Sequence, residues 1–584
     1  MDSAIHLSTP DYVVIVGYCV VVLCIGLWFR TRLSTVADYF AGGHQVPWWL
    51  AGISHYMSSF SAFAFIAYTQ IAYLYGFTAI TLFWACVPAC LLGGFTFARL
   101  WRRARVVTPV EFLKERYSTR VQQMCAWAGI PAKIFDDALK LFATGVFISV
   151  SCGVRLAPAI IVCGVVMVSY SFFGGLWALV VTDYVQFLMK SLAILLLVPL
   201  SIHAAGGLRH GLHALPPANL LLINKPYNSV YIIGFFCLMV LSYNASWALA
   251  QKYYSVEDER AASKAAFLSA GLNLVGAPLM LLPGLLARQI LPGLLGSGRS
   301  ADTYVLLLVK LLPEGMIGII LAAMLSATMA SVSADFNAIA SVLTQDVYRQ
   351  FHRRALSSQA LFQVGRIFTV LLGATTTILA LWIVHSHSEA LFGLMVTVFG
   401  VFLAPTLLPI LAALLTPWVT ATGAVAGITA GFISGASLLT IKHFSPHIVT
   451  AIGGSYTFDG ISLLLNIGST LLGLFAGSFW GRRDAEEAAR AAEFDQRMHT
   501  PVNSSSPVNS SSPSEPVESP MGPVLPLSTV AVAVLLGIAG AVSHSRLAHI
   551  VDGGSAVLFA ALSLLLTRSG RRNRRQPAEF KEAA

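Results

Sequence analysis

Ser54-His55-Tyr56-Met57-Ser58-Ser59-Phe60-Ser61-Ala62-Phe63 interrupts an apolar run that opens at Trp48-Trp49 and extends over 47–74. A helix crosses a bilayer with roughly 20 mostly apolar residues, so the run is long enough to span one. Tryptophans at its start suit the membrane interface, where their amphipathic rings sit. The serines inside it are polar where polar groups are expensive. Their hydroxyls can satisfy backbone groups freed by a break, which predicts a helix interrupted midway and a place for an ion. Close packing of small residues between helices is the other use of such a run, and both stay open on this stretch alone. His55 reads as a packed, hydrogen-bonded residue.

The rest of the chain has the same character. Of 584 residues 56% are hydrophobic and 11% charged, with a mean hydropathy of +0.73. Soluble domains carry about 25% charged residues, so the composition excludes a disordered chain and argues against a soluble enzyme. About fifteen spans follow: 11–29, 47–74, 78–98, 121–151, 157–173, 178–201, 228–249, 265–287, 314–342, 367–385, 390–415, 421–440, 458–480, 524–543 and 550–567. The first lacks the basic flank and cleavage site of a signal peptide and reads as a retained span. With the N-terminus outside and sides alternating, 26 of the 37 Lys+Arg fall inside, eight outside and three within spans. That bias fits a C-terminus inside and accounts for the net charge of +10 without nucleic acid. Eight cysteines lie in or beside apolar stretches at no metal-ligand spacing and read as small buried hydrophobes. Residues 484–523 begin charged and Ala-rich, able to extend a helix, then repeat Pro-Val-Asn-Ser-Ser-Ser from Pro501 and Pro507. They read as a disordered cytoplasmic linker that a partner could meet, with two extra spans and a basic tail at 524–584.

Ionisable groups at membrane depth cost at least ~2.5 kcal/mol on insertion scales, so each marks a functional candidate. Lys133, Asp136, Asp137 and Lys140 follow i, i+3, i+4, i+7 and share one helical face. Such a stripe either fixes helix packing as buried ion pairs or forms a cavity wall that meets a charged solute or ion. In Leu325-Ser-Ala-Thr-Met-Ala-Ser-Val-Ser-Ala-Asp335-Phe-Asn337, Ser331 and Ser333 offer hard oxygen donors suited to an alkali cation. Asp335 and Asn337 are expected nearer the inner end. By position Asp183 reads as a cap at a helix start.

Several stretches together resemble the sodium:solute symporter family, the group of the sodium/glucose, sodium/proline, sialic acid and iodide cotransporters. They are Tyr170-Ser-Phe-Phe-Gly-Gly-Leu-Trp-Ala178, Thr182-Asp-Tyr-Val-Gln186, Gln251 to Ala261, Ala327 to Tyr348, and Pro405 through Gly427, with Asp38-Tyr-Phe-Ala-Gly-Gly and Thr108-Pro-Val-Glu-Phe112 as further loops. The resemblance runs through about residues 10–480. It implies an all-α membrane protein with a LeuT-like five-plus-five inverted repeat. Residues 1–480 form the transporter domain: a leading helix at 11–29, repeat one at 47–201, repeat two at 228–415 and additional helices at 421–480. Solute would bind at mid-membrane between broken second and seventh spans. The principal sodium site would use the carbonyls of Met57, Phe60 and Ala327 and the hydroxyl of Ser331, with Ala330 in place of a usual serine. A second ion site would use Asp183, Ser331 and Ser333, and the resemblance turns Asp183 from cap to ligand.

Where the sugar-carrying members have polar residues this chain has Ser59, Phe63, Ala64 and Ser269, which disfavours a hexose. Tyr56, Phe60, Phe63 and Trp247 beside the Lys/Asp stripe point to a smaller, partly apolar solute bearing charge. The expected solute-binding residues are Tyr56, Ser59, Phe63, Asp136, Asp137, Lys140, Asn244 and Trp247. The expected protein is a multi-pass cell-membrane carrier, not an enzyme, coupled to sodium and using no organic cofactor or other metal. Its contacts are solute and lipid, not nucleic acid. A transporter-like sensor acting through a partner and a proton-coupled carrier are the alternatives.

Overall fold

The computed structural model describes residues 8–30, 40–296, 299–312, 317–351, 357–385, 391–481, 483–502, 524–542 and 546–574. Among these the chain is helical, with a lone parallel bridge between Val46 and Val256. Helix α1 (Thr9–Arg30) leads. The interrupted run becomes α2 (Trp48–Ser58) and α3 (Ala62–Tyr75), bent by 60°. At the break Ser59 Oγ donates to the Tyr56 carbonyl at 2.7 Å and Ser58 Oγ to that of Ser54 at 2.8 Å. The first amide of α3, Ala62 N–H, donates to Thr328 Oγ1 at 2.8 Å. Hydroxyls therefore take up what the break frees.

Next come α4 (Thr78–Ala104), α5 (Thr119–Cys152) and α6 (Leu156–Ala204). Ser118 caps α5 by accepting from Val121 N–H. The Gly-Gly motif has a backbone purpose: Gly175, at φ 54° and ψ −170°, divides α6 into the two expected spans in a conformation essentially confined to glycine. The second unit opens as the first does, with α7 (Ser229–Ala245) and α8 (Trp247–Tyr254) bent by 48° at Ser246. It continues through α9 (Glu259–Ile290), α10 (Ile317–Val342), α11 (Ser358–His385) and α12 (Leu391–Leu415). A π-helical turn carries α10 on to Tyr348. Every residue of α10 is buried, and α1, α2, α5, α6 and α11 pack around it. Side chains such as Phe95, Val162, Ile378 and Leu472 point outward, as a surface against lipid tails requires.

Ten described helices are long and apolar enough to cross a bilayer, twelve when each bent pair counts as one span. The remaining three of the fifteen expected spans are also helical. That at 121–151 carries the four charges of α5, whereas 157–173 and 550–567 are short apolar helices. After α13 (Ala421–Phe444) and α14 (Ser455–Trp480) the expected linker departs from expectation. Its first part forms α15 (Ala485–His499), which docks on the body by stacking Phe494 on Phe112 and pairing Arg497 with Glu115. One apolar face on the Ala-rich stretch was enough to bury, so disorder does not begin at 484. The Ser/Pro repeat at 503–523 lies outside the described residues. So do Asp38, Tyr39 and the tail beyond 574. Helices α16 (Val524–Val542) and α17 (Arg546–Arg574) pair with each other, and α16 packs on α1. The eight cysteines are unpaired; Cys86, Cys90, Cys125 and Cys163 are buried, but Cys24 is exposed.

Candidate functional site

The break between α2 and α3 opens onto a cavity of about 110 Å³. Ser58, Ser59 and Ser61 of the break line it, facing Lys133, Asp136 and Lys140 of α5 and Ser331 and Asp335 of α10. Phe63, Tyr68, Phe83 and Tyr243 supply apolar wall, and Ser242 and Ser246 come from the second break. Both interrupted helices thus present polar groups to one space.

The α5 stripe forms ion pairs with α10 and also lines the cavity. Lys140 Nζ lies 2.8 Å from Asp136, 3.1 Å from Asp137 and 2.9 Å from Asp335, while Lys133 Nζ lies 2.9 Å from Asp335 and 3.8 Å from Asp136. The three carboxylates lie within 4.8 Å of one another, a spacing that would suit a metal ion, and the Lys140 ammonium takes that position. The network ties α5 to α10. Its partly exposed members, Lys133 at 17%, Lys140 at 11% and Asp136 at 10%, offer the cavity charges of both signs.

Four of the expected solute residues line this cavity: Ser59, Phe63, Asp136 and Lys140. The other four do not. Asp137 is fully buried beneath Lys140. Tyr56 turns its ring toward Lys190 and Phe60. Asn244 donates to the carbonyls of Ala89 and Val240 at 3.0 and 2.9 Å and so locks α7 to α4. Trp247 lies over Gly129, where an added Cβ would come within 2.7 Å of its ring. Packing between helices claims these last two, a fate that residue type alone does not reveal.

Of the expected ion ligands, Ser331 is 1% exposed, lines the cavity, and has no hydrogen-bond partner for its Oγ among the described residues. The Met57 carbonyl accepts from Phe60 N–H at 3.0 Å. Phe60 stands at the break, and Ala327 adjoins Thr328, whose hydroxyl is shared with Ala62 N–H and Thr144. Hard carbonyl and hydroxyl oxygens from α2, the break and α10 suit sodium, but the methyl of Ala330 supplies none. Ser333 donates back to the Ala330 carbonyl at 3.3 Å, and neither it nor Asp183 lines the cavity. Asp183 lies two turns into the helix that starts at Gly175, so it caps nothing. Fully buried, it accepts a hydrogen bond from Ser54 Oγ with one oxygen, while the other has no partner among the described residues.

Sequence reasoning missed several groups. Asp335, expected toward the inner end, is central to the network. Lys252, which sorts with the inner-side charges between spans, is fully buried. Lys190 is one of the three Lys and Arg residues that fall within spans. The loop motifs turn out to be connectors. Thr108 Oγ1 and Gln122 Nε2 donate to the Asp346 carboxylate at 2.5 and 2.7 Å, and Gln251 Nε2 donates to the Phe40 carbonyl at 2.5 Å and to Asn337 Oδ1 at 2.9 Å.

Against known proteins, the family model described as the sodium:solute symporter family matches residues 39–431. The chain is 22% identical over 408 residues to a sodium/sialic acid symporter of Proteus mirabilis, covering 68% of this chain and 82% of that protein. It is 26% identical over 495 residues to sodium/glucose cotransporter 2 of Rattus norvegicus, covering 76% and 73%. Among solved structures, the substrate-bound outward-open state of a Na+-coupled sialic acid symporter superposes with a TM-score of 0.71 at 21% identity, covering 82% of this chain and 99% of that one. At that identity the likeness establishes the fold.

Proposed function

Because the chain belongs to the sodium:solute symporter family, we propose that it carries a small charged organic solute, an organic acid or amino acid in preference to a hexose, together with sodium across a cell membrane. The observation that carries this reading is the cavity wall itself, where Lys133 and Asp136 stand beside the hydroxyls of Ser58, Ser59, Ser61 and Ser331. A carboxylate solute meets Lys133 and an ammonium meets Asp136, while the aromatic wall takes the apolar remainder. Polar groups arranged around an intramembrane space, in a chain of this family, support transport.

Coupling follows from position. Sodium held by Met57 and Phe60 on the broken segment and by Ala327 and Ser331 on α10 would join two separate elements, favouring the state in which they are close. Ser331 also lines the solute cavity, so occupation of one site raises affinity at the other, and reciprocally. The N-terminus is read as outside and the C-terminus as inside. Since α15 already uses its apolar face against Phe112, a cytoplasmic partner would meet residues beyond 499. Proton coupling is the second reading, favoured by Ala330 and by the half-satisfied carboxylate of Asp183.

The test is thermal stability of the purified protein in NaCl against equimolar choline chloride, with organic acids, amino acids and sugars. At a hundredfold excess over Kd, binding stabilises by about 2.7 kcal/mol. Sodium should raise the melting temperature, Ser331→Ala should remove that rise, and one solute class should add to it only with sodium. A solute effect without any sodium effect would favour proton coupling instead.

A further inference from the structure

Lys190 lies on the second half of α6, 1% exposed, and its Nζ has no hydrogen-bond partner among the described residues. It faces two rings, 3.2 Å from the centroid of Phe60 and 3.8 Å from that of Tyr56. Phe60 stands in the break, and Tyr56 lies in the last turn of α2, where its carbonyl accepts from Ser59. Lys190 therefore lies without a hydrogen-bond partner, among the described residues, against the segment whose carbonyls are the proposed sodium ligands.

A cation over ring faces is attracted by their quadrupole, and Lys190 meets two such faces on the segment that carries the break. A diffusible cation bound at the same break would meet that charge across a short, poorly screened distance. The missing hydroxyl at Ala330 weakens the competitor further. We infer that the Lys190 ammonium is a built-in cation that competes with sodium for the electronegative face of the break, and so sets the sodium affinity of this carrier. The inference rests on reading the break as a sodium site.

The experiment uses the purified full-length chain, titrated with NaCl at constant ionic strength made up with choline chloride, reading the midpoint of the sodium-dependent rise in melting temperature. Lys190→Met keeps volume and removes charge, and its midpoint should fall roughly tenfold or more. Lys190→Arg, which keeps the charge, should stay at or above the wild-type midpoint, and Ser331→Ala added to Lys190→Met should abolish the gain. Gel filtration monitors folding, and Lys190→Leu replaces the methionine variant if that one is not monodisperse. A wild-type response that Lys190→Met leaves at the same midpoint overturns the inference and leaves the sodium site standing. If neither protein responds to sodium, both readings fall.

Discussion

The densest chemistry in the molecule is one carboxylate shared by two lysines. Asp335, with a side chain 3% exposed, accepts from Lys133 and Lys140 at 2.9 Å each. Removing one partner of a buried pair leaves uncompensated charge and costs about 3–5 kcal/mol. Asp335→Ala should therefore lower the melting temperature markedly, and a midpoint equal to wild type would show that Asp136 and Asp137 hold both lysines unaided. A second residue-scale expectation concerns His44, in the loop before α2. Its Nδ1–H donates to the Tyr254 carbonyl at 2.6 Å, and burial holds its imidazole below the usual histidine range, against the opposing pull of that hydrogen bond. The folded state then binds fewer protons than the unfolded chain, whose histidines titrate near about 6.5. The stability carried by neutral His44 is present above that pH and lost as the pH falls below it. His44→Asn tolerates the positive φ of 58°. Wild type should lose more melting temperature than His44→Asn between about pH 7.5 and 5.5, and parallel losses would refute the assignment.

At the scale of elements, breaks matter more than helices. Gly175 turns α6 at φ 54° and ψ −170°, and a side chain there costs about 1–3 kcal/mol. Gly175→Ala should lower the melting temperature accordingly; an unchanged value would mean that the turn adjusts freely. The break after Ser58 was legible in the sequence because hydroxyls crowd a stretch that otherwise has no reason to be polar. The break at Ser246 was less legible locally, since Ser242, Asn244 and Ser246 are spread thinly where the first break has a serine run, and the family resemblance placed it. Likewise the spacing of Lys133, Asp136, Asp137 and Lys140 announced a charged face on one helix. Nothing local announced that Asp335, on another element almost two hundred positions later, would complete it.

For the whole molecule, the question is which helices do the work. The α16/α17 pair packs on α1, where Leu535 meets Gly17, and contributes nothing to the cavity wall. By contrast α15 is fastened beneath the body through Phe494, Arg497 and the Met498 carbonyl, which accepts from Arg103 at 3.1 Å. A chain ending at 502 should keep the sodium-dependent and solute-dependent rises in melting temperature, with a lower absolute midpoint because the face of α1 is uncovered. Loss of the sodium response in that truncation would place the last two helices inside the coupling mechanism. Sequence by itself determined the membrane class, twelve of the fifteen expected spans and the broken second helix, because apolar length and polar interruption are properties of contiguous residues. It also selected Ser59, Phe63, Asp136, Lys140 and Ser331, which do line one cavity. Only the tertiary structure decided that Asn244 and Trp247 serve packing, that Asp183 and Lys252 are buried, and that Lys190 lies against the break. Those assignments depend on which groups meet across helices, and a one-dimensional pattern does not encode such a meeting.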